Sequence, residues 1–186
     1  MSIAEKLQII AENEQRVYDA GKSAGVDLFR NRVNKTLTSI TAEDLAGVTT
    51  IAQNSLSYLP LTSVTLPDGL TSLGRNCFAY CDVLPAIVVP EGVTTIDYGV
   101  FNGCARLHDI LLPSTVTSIG DYCFNCGQRS SVVIRIQATT PPTLQANAIT
   151  DDRLLRIVVN DGCGDAYRNA TNWAKFASRI FEEGEV

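Results

Sequence analysis

The stretch Leu84-Pro-Ala-Ile-Val-Val-Pro-Glu-Gly-Val-Thr-Thr-Ile-Asp97 holds most of one structural unit. Leu84, Ile87 and Val89 are expected to face a core, and strand alternation turns Val88 outward. Pro90 removes a ladder donor and ends the strand. Glu91-Gly92 supplies a turn, Val93-Thr-Thr-Ile96 gives a second short strand, and a helical turn ending at Phe101 is expected to return the chain. A unit this small cannot bury its own apolar edge, so copies of it must stack.

Two other segments superimpose on it without gaps, Leu61-Thr-Ser-Val-Thr-Leu-Pro-Asp-Gly-Leu-Thr-Ser-Leu-Gly74 and Leu107-His-Asp-Ile-Leu-Leu-Pro-Ser-Thr-Val-Thr-Ser-Ile-Gly120. Three columns share a spacing of 23 residues: Leu61, Leu84, Leu107; Pro67, Pro90, Pro113; and Phe78, Phe101, Phe124. A fixed period in this range with recurring aliphatics is the signature of leucine-rich repeats. Weaker copies extend the series. Upstream lie Leu37-Thr-Ser-Ile40 and Val48-Thr-Thr-Ile51, and downstream Val133–Ile136 and Leu154–Val159, followed by Asn160-Asp-Gly162. The expectation is a solenoid over residues 37–160 with about six rungs, above the three or so that stability requires.

Composition fits that picture. Of 186 residues, 45% are apolar and 19% charged, the balance of a folded soluble domain. The net charge of −5 gives no pull toward nucleic acid or anionic membrane. No apolar run is long enough to span a bilayer, so membrane insertion is not expected. The start, Met1-Ser-Ile-Ala-Glu-Lys6, lacks a basic segment followed by an apolar one, so no signal peptide is read. The expected location is cytoplasmic, or the cell surface if a signal has been removed.

The two ends differ from the middle. Ser2-Ile-Ala-Glu5 is a capping box, and a helix to about Arg32 should follow within an N-terminal region of residues 1–36. Ile3, Leu7, Ile10, Val17, Ala24 and Leu28 keep a 4-3 spacing that Glu14 and Gly21 interrupt. Such a helix either shields the first rung or forms a homo-oligomer through residues 2–32. At the other end, residues 161–186, Tyr167, Trp173, Phe176 and Ile180 suit one side of a capping helix over the last rung.

Six cysteines invite metal or redox readings. Cys77 and Cys123 share a phase two rungs apart, about 10 Å, too far to sit around one zinc. Cys123-Phe-Asn-Cys126 has redox spacing without the helix N-terminus that such a motif needs. Cys81 and Cys104 share a phase on adjacent rungs, within disulfide range. Buried thiols are the favoured reading, because free cysteine behaves as a small core residue. Cys163 falls in the phase of Leu70, Val93 and Val116, and burial is expected there too. His108 is the single histidine, on which any triad would have to centre, and it faces solvent by phase, so a surface role is the favoured reading. The acid pairs Asp151-Asp152 and Glu182-Glu183 read as solvated. Neither a phosphate loop nor a catalytic or metal-binding constellation is present in the sequence, and no cofactor is expected. One surface stands out. Thr65, Val88, Leu111, Arg135 and Val158 should stack as an outward column with His108 and Arg156 beside it, a candidate binding face for a protein or glycan.

The repeats resemble the BspA-like leucine-rich-repeat family. The likeness is carried by Val93-Thr-Thr-Ile96, Val116-Thr-Ser-Ile-Gly120, Cys77-Phe-Ala-Tyr-Cys81 and Val100-Phe-Asn-Gly-Cys104. Asp165-Ala-Tyr-Arg-Asn-Ala-Thr-Asn-Trp173 looks like the capping helix of similar proteins. The resemblance implies an α+β repeat solenoid of short strands and helical turns, acting in adhesion or interaction without catalysis. Residues 3–22 also look like the N-terminal stretch of prophage structural proteins of Gram-positive bacteria, which adds a virion-associated role to the expectations. The alternative is an intracellular scaffold that oligomerises through its N-terminal helix.

Overall fold

The computed structural model describes residues 37–126, 131–150 and 155–186. The helix expected over 1–36, and its oligomer-forming stretch 2–32, lie outside the described residues. Six strands open successive rungs: β1 (Ser39–Ile40), β3 (Ser63–Val64), β5 (Ala86–Val88), β7 (Asp109–Leu112), β9 (Val132–Ile136) and β11 (Leu155–Val159). A second strand follows in five of them: β2 (Thr50–Ile51), β4 (Ser72–Leu73), β6 (Thr95–Ile96), β8 (Ser118–Ile119) and β10 (Thr143–Leu144). The opening strands pair in parallel as β1–β3 and as β5–β7–β9–β11, and the second strands as one five-stranded parallel sheet in chain order.

The registers place like side chains on like. Ile87, Ile110, Ile134 and Ile157 form one column. Ile51 pairs with Leu73, Leu73 with Ile96, Ile96 with Ile119, and Ile119 with Leu144. All nine are buried. Between the sheets, Phe78, Phe101 and Phe124 stack with centroids 6.0 and 6.1 Å apart. These rings are 0–3% exposed, so the 23-residue spacing read in the sequence is the spacing of a continuous core.

The return segment is not helical. Across it, alternate amides reach the next rung: Asn54, Leu56 and Tyr58 donate to the carbonyls of Arg75, Cys77 and Ala79. Asn76, Phe78 and Tyr80 donate to Tyr98, Val100 and Asn102, and Gly99, Phe101 and Gly103 to Asp121, Cys123 and Asn125, all at 2.8–3.2 Å. Intervening amides close tight turns, as in Ser57 to Asn54, Ala79 to Asn76 and Asn102 to Gly99. The physical reason is spacing. Packed helices stand 8–10 Å apart, whereas parallel strands stand about 4.8 Å apart. A helix in every rung would force the rungs apart on that side. A third ladder keeps them together and still satisfies the backbone.

The C-terminal cap also differs from the single helix expected. Helix α1 (Gly164–Asn169) is short, a 3-10 turn covers Ala174–Arg179, and β12 (Ile180–Glu182) pairs in parallel with β11. Ile180 therefore ends the isoleucine column opposite Ile157 instead of lying on a helix face. Tyr167 and Trp173 are buried, their rings meet edge-on at 5.2 Å, and their polar atoms donate to the carbonyls of Ala138 and Pro142, each at 2.7 Å.

Two substitutions measure this packing by urea denaturation. Phe101→Ala removes the middle ring of the stack and should cost about 3–5 kcal/mol. Gly120→Ala would place a Cβ 2.8 Å from the Tyr98 amide nitrogen of the neighbouring rung and should cost about 1–3 kcal/mol.

Candidate functional site

The face formed by β5, β7, β9 and β11 carries two outward columns. The first is Ala86, Asp109, Val133 and Arg156; the second is Val88, Leu111, Arg135 and Val158, extended by Phe181 of β12. The residues expected to stack do stack from Val88 to Val158. Thr65 is exposed and follows β3, 23 residues before Val88, and His108 is exposed just before β7. Phe181 was not foreseen, because a charged tail hides the strand that carries it.

Val158 corrects the expected surface. It occupies the outward column yet is 3% exposed, and it lies outside the main core cluster. Its column neighbours Arg135 and Phe181 and its strand neighbour Arg156 are all longer side chains, and the Arg156 guanidinium lies 5.1 Å from the Phe181 ring. What reaches solvent is Val88, 59% exposed, with Leu111 half-buried beside it. Arg135 is exposed and ion-paired with Asp109 of the adjoining strand. An exposed pair of this kind orients the guanidinium and adds little stability.

A second surface, on the return ladder, was missed. Tyr58, Tyr80, Tyr98 and Tyr122 are exposed there. Tyr58 and Tyr80 stack at 4.7 Å, Tyr98 and Tyr122 meet edge-on at 5.4 Å, and the Arg75 guanidinium lies 4.8 Å from the Tyr98 ring. Tyr58, Tyr80 and Tyr122 hold φ near +60°. In the aligned positions other rungs use Asn54, Asn76, Gly99 and Gly103, also at positive φ. Left-handed backbone costs an ordinary L-residue about 1–2 kcal/mol, a cost glycine escapes and asparagine largely avoids. The Gly/Asn column was the available signal in the sequence.

The cysteines are structural. All six are free, and Cys77, Cys81, Cys104, Cys123 and Cys126 are buried. The thiols of Cys81, Cys104 and Cys123 donate to the carbonyls of Leu56, Phe78 and Asp97 in the preceding rung, at 3.2, 3.1 and 2.8 Å. A cysteine here fills a small apolar site and gives a weak donor to a buried carbonyl. Burial pushes Cys104 and Cys123 up to about 12 and raises the other three as well. Cys163 is only half-buried, at the start of α1, where full burial was expected. Among the described residues no three His, Cys, Asp or Glu side chains converge as a metal site.

Of the two acid pairs read as solvated, Asp151-Asp152 lies outside the described residues, and in the other Glu182 has a built role. Its carboxylate accepts the amides of Gly162 and Gly164, both at 2.8 Å, and these bonds hold it below the usual range. Glu91 does the same for the amide and hydroxyl of Ser114 one rung on.

The BspA-type leucine-rich-repeat region matches residues 25–169 in six copies. The chain belongs to the BspA-type leucine-rich-repeat family. The match covers every rung described above and begins before Leu37. Among curated proteins none matches the chain. In this BspA-type array the recurring Val-Thr-x-Ile supplies the second sheet, and the recurring Cys serves a carbonyl of the rung before.

Two outcomes follow for this chemistry. At pH 8 a thiol-specific disulfide reagent should modify Cys163 ahead of the other described cysteines, which should react only on unfolding; mass mapping of modified peptides checks the order. Glu91 and Glu182 have depressed folded values, so their contribution is present above the unfolded carboxylate range and lost as pH falls through the folded values. The urea midpoint should drop on acidification below about pH 4.5, and Glu91→Gln with Glu182→Gln should reduce that drop.

Proposed function

We propose that the chain is a non-catalytic recognition module of a cell surface or a phage virion, and that it binds a protein through the β5–β7–β9–β11 face. The observation that carries this reading is the in-register pair Val88–Leu111, exposed and half-buried, beside the fixed guanidinium of Arg135. Apolar and arginine side chains at the centre of a rigid patch are the composition of protein interfaces. Stacked rungs hold such a patch with little entropy left to lose on binding. BspA-type repeats generally serve as protein-interaction and adhesion modules, which agrees with this use.

The test is binding of the fluorescent full chain to intact Gram-positive cells. Saturable, protease-sensitive binding is expected, weakened at least tenfold by Val88→Glu with Leu111→Glu. Binding that the double variant leaves unchanged removes the sheet face, and no saturable binding removes the adhesion role. Light scattering on the same sample then addresses the scaffold alternative, which requires a defined oligomer.

A further inference from the structure

Three of the four tyrosines on the return ladder, Tyr58, Tyr80 and Tyr122, sit at a conformational disadvantage. Tyr80 and Tyr122 keep positive φ in columns where Gly103, Asn76 and Gly99 fill the same place more readily. Backbone strain retained for the sake of a side chain is a pointer to use of that side chain. The rings are also pre-positioned. Tyr80 leans on Tyr58 on one side and over Gly103 on the other, where an added Cβ would come within 2.5 Å of the ring. Tyr98 is set between Arg75 and Tyr122.

Charge decides what such a face would take. Across the return segments 52–58, 75–80, 97–103 and 120–126, Arg75 is the single cation, and Asp97 and Asp121 are the acids. Asp97 directly precedes Tyr98 and Asp121 directly precedes Tyr122; both acids are half-buried, and their carboxylates accept the amides of Tyr98 and Asn147. Over the described residues as a whole, seven Lys and Arg stand against thirteen Asp and Glu. Electron-rich ring faces on an acidic surface attract guanidinium and ammonium groups. The molecule already contains one such contact, Arg75 over Tyr98. Tyrosine and asparagine with glycine at rigid turns is also the composition of protein-binding loops.

We propose that Tyr80, Tyr98 and Tyr122, with Asp97 and Asp121, form a second docking face, which takes a basic, arginine- or lysine-bearing segment of a partner protein. This rests on the reading of the chain as an interaction module but not on the sheet face, which presents Arg135 and Arg156 and is a separate surface.

The test uses the full chain and a fluorescein-labelled 12-residue peptide alternating Arg with Gly and Ser, beside an equal-length peptide with Glu for Arg. Anisotropy should show the basic peptide binding at least tenfold more tightly than the acidic one. Tyr98→Ala with Tyr122→Asn should weaken it at least tenfold. Tyr122→Asn alone should leave the Tm unchanged or raised, because asparagine suits the left-handed position, and this separates lost binding from lost folding. Arg75→Ala should tighten the peptide two- to fivefold by vacating the Tyr98 ring, a gain that damaged folding would not produce. Equal binding of the two peptides, no binding, or tyrosine variants that bind as the parent chain does would each overturn the proposal. Val88→Glu should leave peptide binding unchanged; loss there, with the tyrosine variants unaffected, assigns the peptide to the sheet face instead.

Discussion

The parallel ladder sets successive rungs about 4.8 Å apart, and this chain meets that distance on the opening strands, the second strands and the return segment together. The first two sides do so with β-branched residues, which suit a pleated surface. The return side has no such run, and it alternates amides between the next rung and its own turn. That alternation needs backbone in the left-handed region twice per turn, as at Asn76 and Tyr80 or Gly99 and Gly103. The Phe78–Phe101–Phe124 stack and the thiol-to-carbonyl bonds then follow, since each repeats a contact that the ladder has already put in register.

The same constraint explains how the C-terminal end is closed. The last rung has an inward edge and no following copy. Tyr167 and Trp173 cover it while giving their polar atoms to Ala138 and Pro142, so the cap is apolar in bulk and hydrogen-bonded at its tips. β12 then adds one more strand to the opening sheet, and Glu182 ties it to Gly162 and Gly164.

How much of this was legible differs by element. The columns at 23-residue spacing announced the core directly, because burial in a stack requires the same apolar type at the same phase. The outward register Val88–Leu111–Arg135–Val158 could be counted for the same reason. Solvent exposure could not, since it depends on how long side chains lie across a face, and Val158 is lost among Arg135, Arg156 and Phe181. The return segment was misread because tyrosine carries no local mark of left-handed backbone; only the glycine and asparagine in aligned rungs reveal it. The β12 strand was hidden because Ile180-Phe-Glu182 is short and runs into acidic residues, so its strand character comes from pairing with β11 and not from its own pattern.

The direction of the ladder bonds has a mechanical meaning. They run along the stacking axis, from each rung to the next, while the covalent chain runs around it. Tension applied across a rung is borne by peptide bonds and by many ladder contacts in shear. Tension applied along the axis meets one interface at a time, so rungs would peel off in sequence from whichever end is held less firmly. A module that carries load between two partners is thus toughest when both grip its sides, and it becomes an extensible link when they grip its ends.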